Sequence, residues 1–140
     1  MVMEQLAVEI VGLCREYGEC RVEVERMEEA RRVKNALESV CAMARQRLDI
    51  SDPALLLALL DACEVTRDEG MLQEVLDVVG RNLDRLAVSA ESVKLLACCY
   101  YYVEEEEWVE RAGRMLEELR KMGRGEEELA DVETILEELT

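Results

Sequence analysis

The stretch SDPALLLALLDACEVTRDEG at residues 51–70 decides the fold class of this chain. Ser51 or Asp52 can cap a helix here, and Pro53 takes its first turn, where the N–H that proline lacks would have no partner. Apolar residues then recur at helical spacing until the turn at residues 67–70, and nothing in the sequence alternates with period 2 for long enough to form a strand. We therefore predict a helix from Pro53 to about Thr66 in an all-α protein.

The same design returns 37 residues later in SAESVKLLACCYYYVEEEE at residues 89–107. Ser89 takes the place of Asp52 as a helix cap, and the apolar positions coincide along both helices, as Leu59 does with Leu96. In the helices that follow, Met71 aligns with Trp108. Internal similarity at a fixed period is typical of repeat architectures, so we predict two helical hairpins of one design in series.

Weaker similarity extends the pattern over the whole chain. We expect helices at about 2–17 (ended by Gly18), 22–48, 53–66, 71–86, 90–103, from Trp108 to Met122, and 126–139, with apolar stripes that include Val11 and Met27. The segment Gly123-Arg124-Gly125 separates the last two helices. The prediction is one domain over residues 1–140, an all-α protein of about seven helices stacked as antiparallel α-hairpins in a short α-solenoid. The hairpins cover about 2–48, 52–86 and 89–122, and the helix at 126–139 closes the stack.

Residues 50–122 resemble the α-helical repeat families in the broad sense: HEAT, armadillo, tetratricopeptide and octotricopeptide repeats. The segment LAVSAESVKLLA at residues 86–97 is similar to the loop, capping serine and apolar first helix of octotricopeptide-like units. The tetratricopeptide signature positions are absent, and the period of 37 departs from the tetratricopeptide unit of about 34 residues. The resemblance implies a binding fold, and association with RNA in the octotricopeptide case. No binding residue is transferred from these families.

The composition excludes several classes of function. The chain has 33 acidic and 17 basic residues, for a net charge of -16, and its hydrophobic content of 50% supports a packed core. Histidine is absent, which removes the commonest general base and metal ligand. We therefore predict no enzyme activity and no cofactor, and the excess of acids argues against a broad phosphate-binding surface.

Six cysteines are present, but none forms a C-x-x-C pair. Cys14, Cys41, Cys63 and Cys99 fall on apolar helix faces, which favours buried thiols in a reducing compartment over disulfides or a metal site. No apolar stretch is long enough for a membrane span, and Glu4 interrupts any signal-like run. The expected location is intracellular, in the cytoplasm.

The partner-binding candidates come from the face that the repeat places toward solvent. Trp108 is assigned to the core instead, because its repeat equivalent Met71 lies on an apolar face, and Tyr100 is also expected to be buried. The acidic run at residues 104–107 is interpreted as a solvated surface, with binding of a cation or basic peptide as the alternative. The candidate partner-binding residues are Asp61, Glu64, Lys94, Cys98 and Tyr101.

These observations favour a non-catalytic protein–protein interaction or scaffold module. It would present an acidic helical-repeat surface to a peptide, helix or protein partner, for which a basic partner is the best electrostatic match. Two alternatives stay open: an RNA-associated helical-repeat protein, and an artificial or selected helical protein without a native function, suggested by the absence of Phe and His. The oligomeric state is left open.

Overall fold

The fold is described from a computed structural model, and the structure describes residues 3–123 and 126–139. Within these ranges the chain forms helices and turns without a β-strand, which confirms the prediction of an all-α protein with seven helices. Two short 3-10 turns, Val24–Arg26 and Leu83–Arg85, accompany them. The helices are α1 (Met3–Cys20), α2 (Met27–Arg45), α3 (Pro53–Thr66), α4 (Glu69–Arg81), α5 (Ala90–Val103), α6 (Glu106–Lys121) and α7 (Glu126–Leu139).

The chain divides into two compact units, Met1–Val78 and Val79–Thr140. In the first unit α1 packs against both α2 and α3, and α2 also contacts α3. In the second unit α5, α6 and α7 pack against one another. Helix α4 crosses the boundary between the units. None of the helices in the described ranges is long and apolar enough to cross a membrane.

Helices α3 and α5 begin and end as the repeat predicts. Asp52 caps α3, since its Oδ1 accepts a hydrogen bond from the Leu55 N–H at 3.1 Å. Ser89 caps α5, since its Oγ accepts from the Ser92 N–H at 3.1 Å. Such bonds satisfy backbone donors that have no partner inside the helix. The open choice between Ser51 and Asp52 is thus resolved in favour of Asp52.

Three predicted helix boundaries in the first two helices are wrong. Gly18 does not end α1, which continues to Cys20, because a glycine inside a helix costs only about 1 kcal/mol and Cys20 is fully buried. The predicted helix over 22–48 is shorter at both ends, since α2 spans Met27–Arg45. Its start follows a 3-10 turn in which Arg26 donates hydrogen bonds to the Glu29 carboxylate at 2.9 Å.

The structure also bears on the predicted end of α4 and on the segment between the last two helices. The predicted helix over 71–86 ends early, as α4 stops at Arg81 and a 3-10 turn follows. That turn still buries Leu83 and Leu86, which explains why the apolar pattern looked continuous. Arg124 and Gly125, expected between the last two helices, lie outside the described residues.

The core contains most of the predicted apolar positions. Trp108 is 4% exposed, which confirms its place in the core, and Gly80 lies beneath it: a Cβ added there would stand 3.4 Å from the Trp108 ring. Val11 and Met27 were expected on apolar stripes but are 40% and 53% exposed. For Met27 the reason is local, because it is the first residue of α2 rather than a residue of its second turn.

Candidate functional site

The predicted site residues lie on two helices in different units. On α5, Lys94, Cys98 and Tyr101 follow one another at spacings of four and three residues and so share one face. Tyr101 is exposed as predicted, with 73% of its surface accessible, whereas Lys94 and Cys98 are half-buried rather than fully solvent-facing. The expectation that Lys94 and Cys98 face solvent is therefore corrected, because the face they occupy is partly covered. Their assignment as partner-binding residues stays a prediction.

Asp61 and Glu64 share a face of α3 in the first unit, and both are exposed as predicted. Desolvation, and after it the neighbouring Glu64 carboxylate, raises the pKa of Asp61. The Asp61 carboxylate in turn adds to the raised pKa of the Cys14 thiol. This pair belongs to a different unit from Tyr101, and we describe the two surfaces separately.

A two-residue corner, Glu104 and Glu105, joins α5 to α6 shortly after Tyr101. Glu104 ends α5 in the left-handed conformation, at φ 57° and ψ 27°, and its N–H donates to the Tyr100 carbonyl at 2.8 Å. Glu105 then has an extended backbone and precedes the first turn of α6. Glu104 and Glu105 thus join the two helices without glycine, and an acidic segment follows the tyrosine-bearing helix.

This corner carries a groove of about 640 Å³, lined by Tyr100, Tyr101, Glu104 and Glu106. The sequence analysis named Tyr101 as a candidate but not the other three residues. Tyr100 was expected in the core, yet it is half-buried and lines the groove. The two glutamates were interpreted as a solvated surface, with binding of a cation or basic peptide as the alternative, and the position of the acidic run after three consecutive tyrosines is the signal that favours the alternative.

The exposed tyrosines are ordered by a ring contact. The rings of Tyr101 and Tyr102 meet edge to face, with centroids 5.4 Å apart and planes at 87°. Edge-to-face pairs are favourable because the positive ring edge faces the negative ring surface. The contact holds the Tyr101 ring against the Tyr102 ring.

A second cavity, of about 210 Å³, lies in the first unit between α2 and the start of α4. The cation among its described lining residues is already paired: the Arg45 guanidinium donates to the Glu74 carboxylate at 2.9 Å and lies 3.6 Å from Asp68. The described lining therefore offers no unpaired cation to an anionic ligand. The cavity is lined by Glu38, Cys41, Ala42, Arg45, Thr66, Asp68 and Met71.

The cysteines are thiols, and all but the half-buried Cys98 are buried. Burial raises the pKa of Cys14 to about 11 and the pKa values of Cys41, Cys63 and Cys99 to about 12. Neutral thiols are poor nucleophiles and poor metal ligands, so these side chains act as small apolar groups. In the described part of the chain, no group of three or more Cys, Asp or Glu side chains has the arrangement of a metal site.

The fold and the groove define an all-α protein with an acidic, tyrosine-lined corner at the end of α5. No protein-family model matches the chain, and no curated protein and no solved structure is significantly similar to it.

Proposed function

We propose that this protein is a non-catalytic binding module that holds a protein or peptide partner at the α5–α6 corner. The antiparallel-hairpin solenoid and the likeness to helical-repeat families belong to the same proposal. They are supported by the repetition of one helix design, in which α3 and α5 have 14 residues each, side-chain caps at their starts and left-handed residues after their ends.

The observation that carries the proposal is the exposure of Tyr101. A tyrosine with 73% of its surface accessible, ordered by Tyr102 and placed beside a groove, has the properties of an interface anchor. Tyrosine is enriched among the residues that dominate binding energy because it combines a large apolar ring with a hydroxyl.

A non-catalytic role is supported by the chemistry of the chain. There is no histidine to serve as a general base, and the four thiols with pKa values of about 11 to 12 are protonated at neutral pH. A protonated, buried thiol cannot act as a nucleophile without a base beside it. The net charge of -16 favours a basic partner over nucleic acid.

Affinity capture from cell extract tests this proposal when Tyr101 is varied. We expect the immobilised chain to retain a protein whose recovery falls at least tenfold with Tyr101→Ala, the size of effect typical of an interface anchor. Tyr17→Ala is the matched control, since Tyr17 is a half-buried tyrosine on α1, and it should leave recovery unchanged. Equal recovery with both variants would contradict the proposal, as would recovery of nucleic acid alone, which would favour the RNA-associated alternative.

A further inference from the structure

The groove at the α5–α6 corner combines two groups that attract cations. Its described lining consists of two tyrosines, Tyr100 and Tyr101, and two glutamates, Glu104 and Glu106. No basic side chain is among its described lining residues. At about 640 Å³ the groove has room for a long side chain and the backbone that carries it.

Among the described residues, no basic side chain pairs with the glutamates of the groove. The side chains of Glu104 and Glu106 are both exposed. Glu105 and Glu107 flank them and are also exposed, so four consecutive acids surround one corner. Such a concentration of one sign of charge attracts a cation and repels phosphate.

The tyrosines narrow the choice of cation. A guanidinium or ammonium group is attracted to the face of a tyrosine ring, and the planar guanidinium also stacks on aromatic rings. A guanidinium can in addition donate paired hydrogen bonds to a carboxylate, which an ammonium cannot match in geometry. Of the two cationic side chains, arginine therefore matches a groove lined by both tyrosines and glutamates better than lysine does.

We propose that the groove binds the arginine side chain of a basic segment in the partner protein, between the Tyr101 ring and the Glu104 and Glu106 carboxylates. This inference rests on the proposed function and gives the chemistry of the partner. It explains why the only strongly exposed tyrosine among the described residues lies beside an acidic turn.

Fluorescence anisotropy with a labelled peptide that alternates arginine and glycine tests the inference on the full chain at low salt. Glu104→Gln with Glu106→Gln should weaken binding about tenfold, because hydrogen bonds to charged groups are lost. Tyr101→Leu should weaken it about two- to fivefold, since it removes the aromatic face but keeps an apolar side chain. The same peptide with citrulline for arginine should not bind, and lysine should bind less tightly than arginine.

The matched control removes the same charge elsewhere in the same unit. Glu117→Gln with Glu118→Gln changes two exposed glutamates of α6 and should reduce affinity less than twofold. Equal losses in the two double variants would overturn the inference, because binding would then follow net charge alone. An unchanged affinity in Tyr101→Leu would overturn it as well. Circular dichroism on every variant confirms that the helices are intact.

The two proposals fail in different ways. If a captured protein depends on Tyr101 while the two charge-matched double variants bind the peptide equally, the arginine site is wrong and the proposed function stands. If the peptide result holds but no captured protein depends on Tyr101, the groove is a cation site and the proposed function fails.

Discussion

Arg67 and Glu104, 37 residues apart in the chain, end α3 and α5 with the same left-handed backbone, at φ 59° and φ 57°. Each donates its N–H to the carbonyl four residues earlier, Arg67 to Cys63 at 2.7 Å and Glu104 to Tyr100 at 2.8 Å. Neither is the glycine that usually takes this position. The similarity between α3 and α5 therefore includes the backbone conformation of the residue that follows each helix. In α5 this residue, Glu104, also lines the groove.

Replacing these left-handed residues by glycine should stabilise the protein. A non-glycine residue in this conformation costs about 1 kcal/mol or more, and the cost is only partly offset by the greater freedom of glycine in the unfolded chain. We expect Arg67→Gly and Glu104→Gly each to raise the free energy of unfolding by about 0.5 to 1 kcal/mol in urea titrations. Arg67→Ala, which keeps the strain, should give no gain.

The two glycine variants should differ in binding. Glu104→Gly removes a carboxylate from the groove, so it should weaken the arginine peptide while it stabilises the fold. Arg67→Gly should leave binding unchanged. A loss of stability in both glycine variants would show that the left-handed conformation is not a source of strain.

The helix caps should contribute similar amounts to stability. Asp52→Ala and Ser89→Ala each remove the acceptor for a backbone N–H in the first turn, and each should lower the free energy of unfolding by about 1 kcal/mol. Ser51→Ala, next to the α3 cap, should change it by less than about 0.5 kcal/mol. Chemical denaturation followed by circular dichroism gives the comparison, and a cost at Ser51 equal to that at Asp52 would contradict the assignment of the cap.

The buried thiols should make the protein sensitive to alkali. Their pKa values rise from a usual 9.0 to about 11 for Cys14 and about 12 for Cys63 on folding, chiefly through burial. A group whose pKa is raised in the folded state favours folding below its unfolded pKa, and that contribution is lost as the pH rises through the folded pKa. Stability should therefore fall between about pH 9 and pH 12, and the fall should be smaller in Cys63→Ala.

The reaction rates of the thiols with a thiol-reactive dye at neutral pH measure their burial independently. The half-buried Cys98 should react first, and the buried thiols only as fast as the protein unfolds. Cys98→Ser should remove the fast phase. Rapid reaction of several thiols in the native protein would contradict their burial.

The ion pair between Arg45 and Glu74 should stabilise the first unit in neutral but not in acidic solution. Hydrogen bonds from Arg45 lower the pKa of Glu74 below 4.5. Its contribution is therefore present above pH 4.5 and lost as the pH falls through the lowered value. Glu74→Gln should cost less than about 1 kcal/mol at pH 7, since both side chains are partly exposed.

That difference between Glu74→Gln and the parent chain should shrink steadily below pH 4.5 in urea titrations. Glu9→Gln, at an exposed position of α1, serves as the control. Its free energy of unfolding should equal that of the parent chain both at pH 7 and below pH 4.5. A difference for Glu74→Gln that does not depend on pH would indicate lost packing rather than a lost ion pair.

Helices that begin at a capping side chain and end at a turn were predictable from the sequence. Both α3 and α5 begin after a capping side chain and lie on strong apolar patterns, so their bounds follow from neighbouring residues. Gly18 misled the prediction, because the sequence does not show that Cys20 is buried enough to extend α1 through a glycine. The helix start at Met27 was also missed, and no side-chain hydrogen bond caps it.

The groove could be predicted only in part. Helical spacing was enough to place Tyr101 in solvent, since its face is set by the core positions of α5. The remaining wall depends on the left-handed turn at Glu104, and glutamate carries no local preference for that conformation. Tyr100 is half-buried and lines the groove, which the apolar spacing of α5 did not predict.

Backbone amide shifts of the isotope-labelled full chain, recorded while the arginine–glycine peptide is added, locate the binding site residue by residue. We expect the largest shifts at residues 100–107, and we expect them to disappear in the Glu104→Gln, Glu106→Gln variant. Shifts of similar size at exposed acidic residues throughout the chain, or none near Tyr101, would contradict a binding site at the α5–α6 corner.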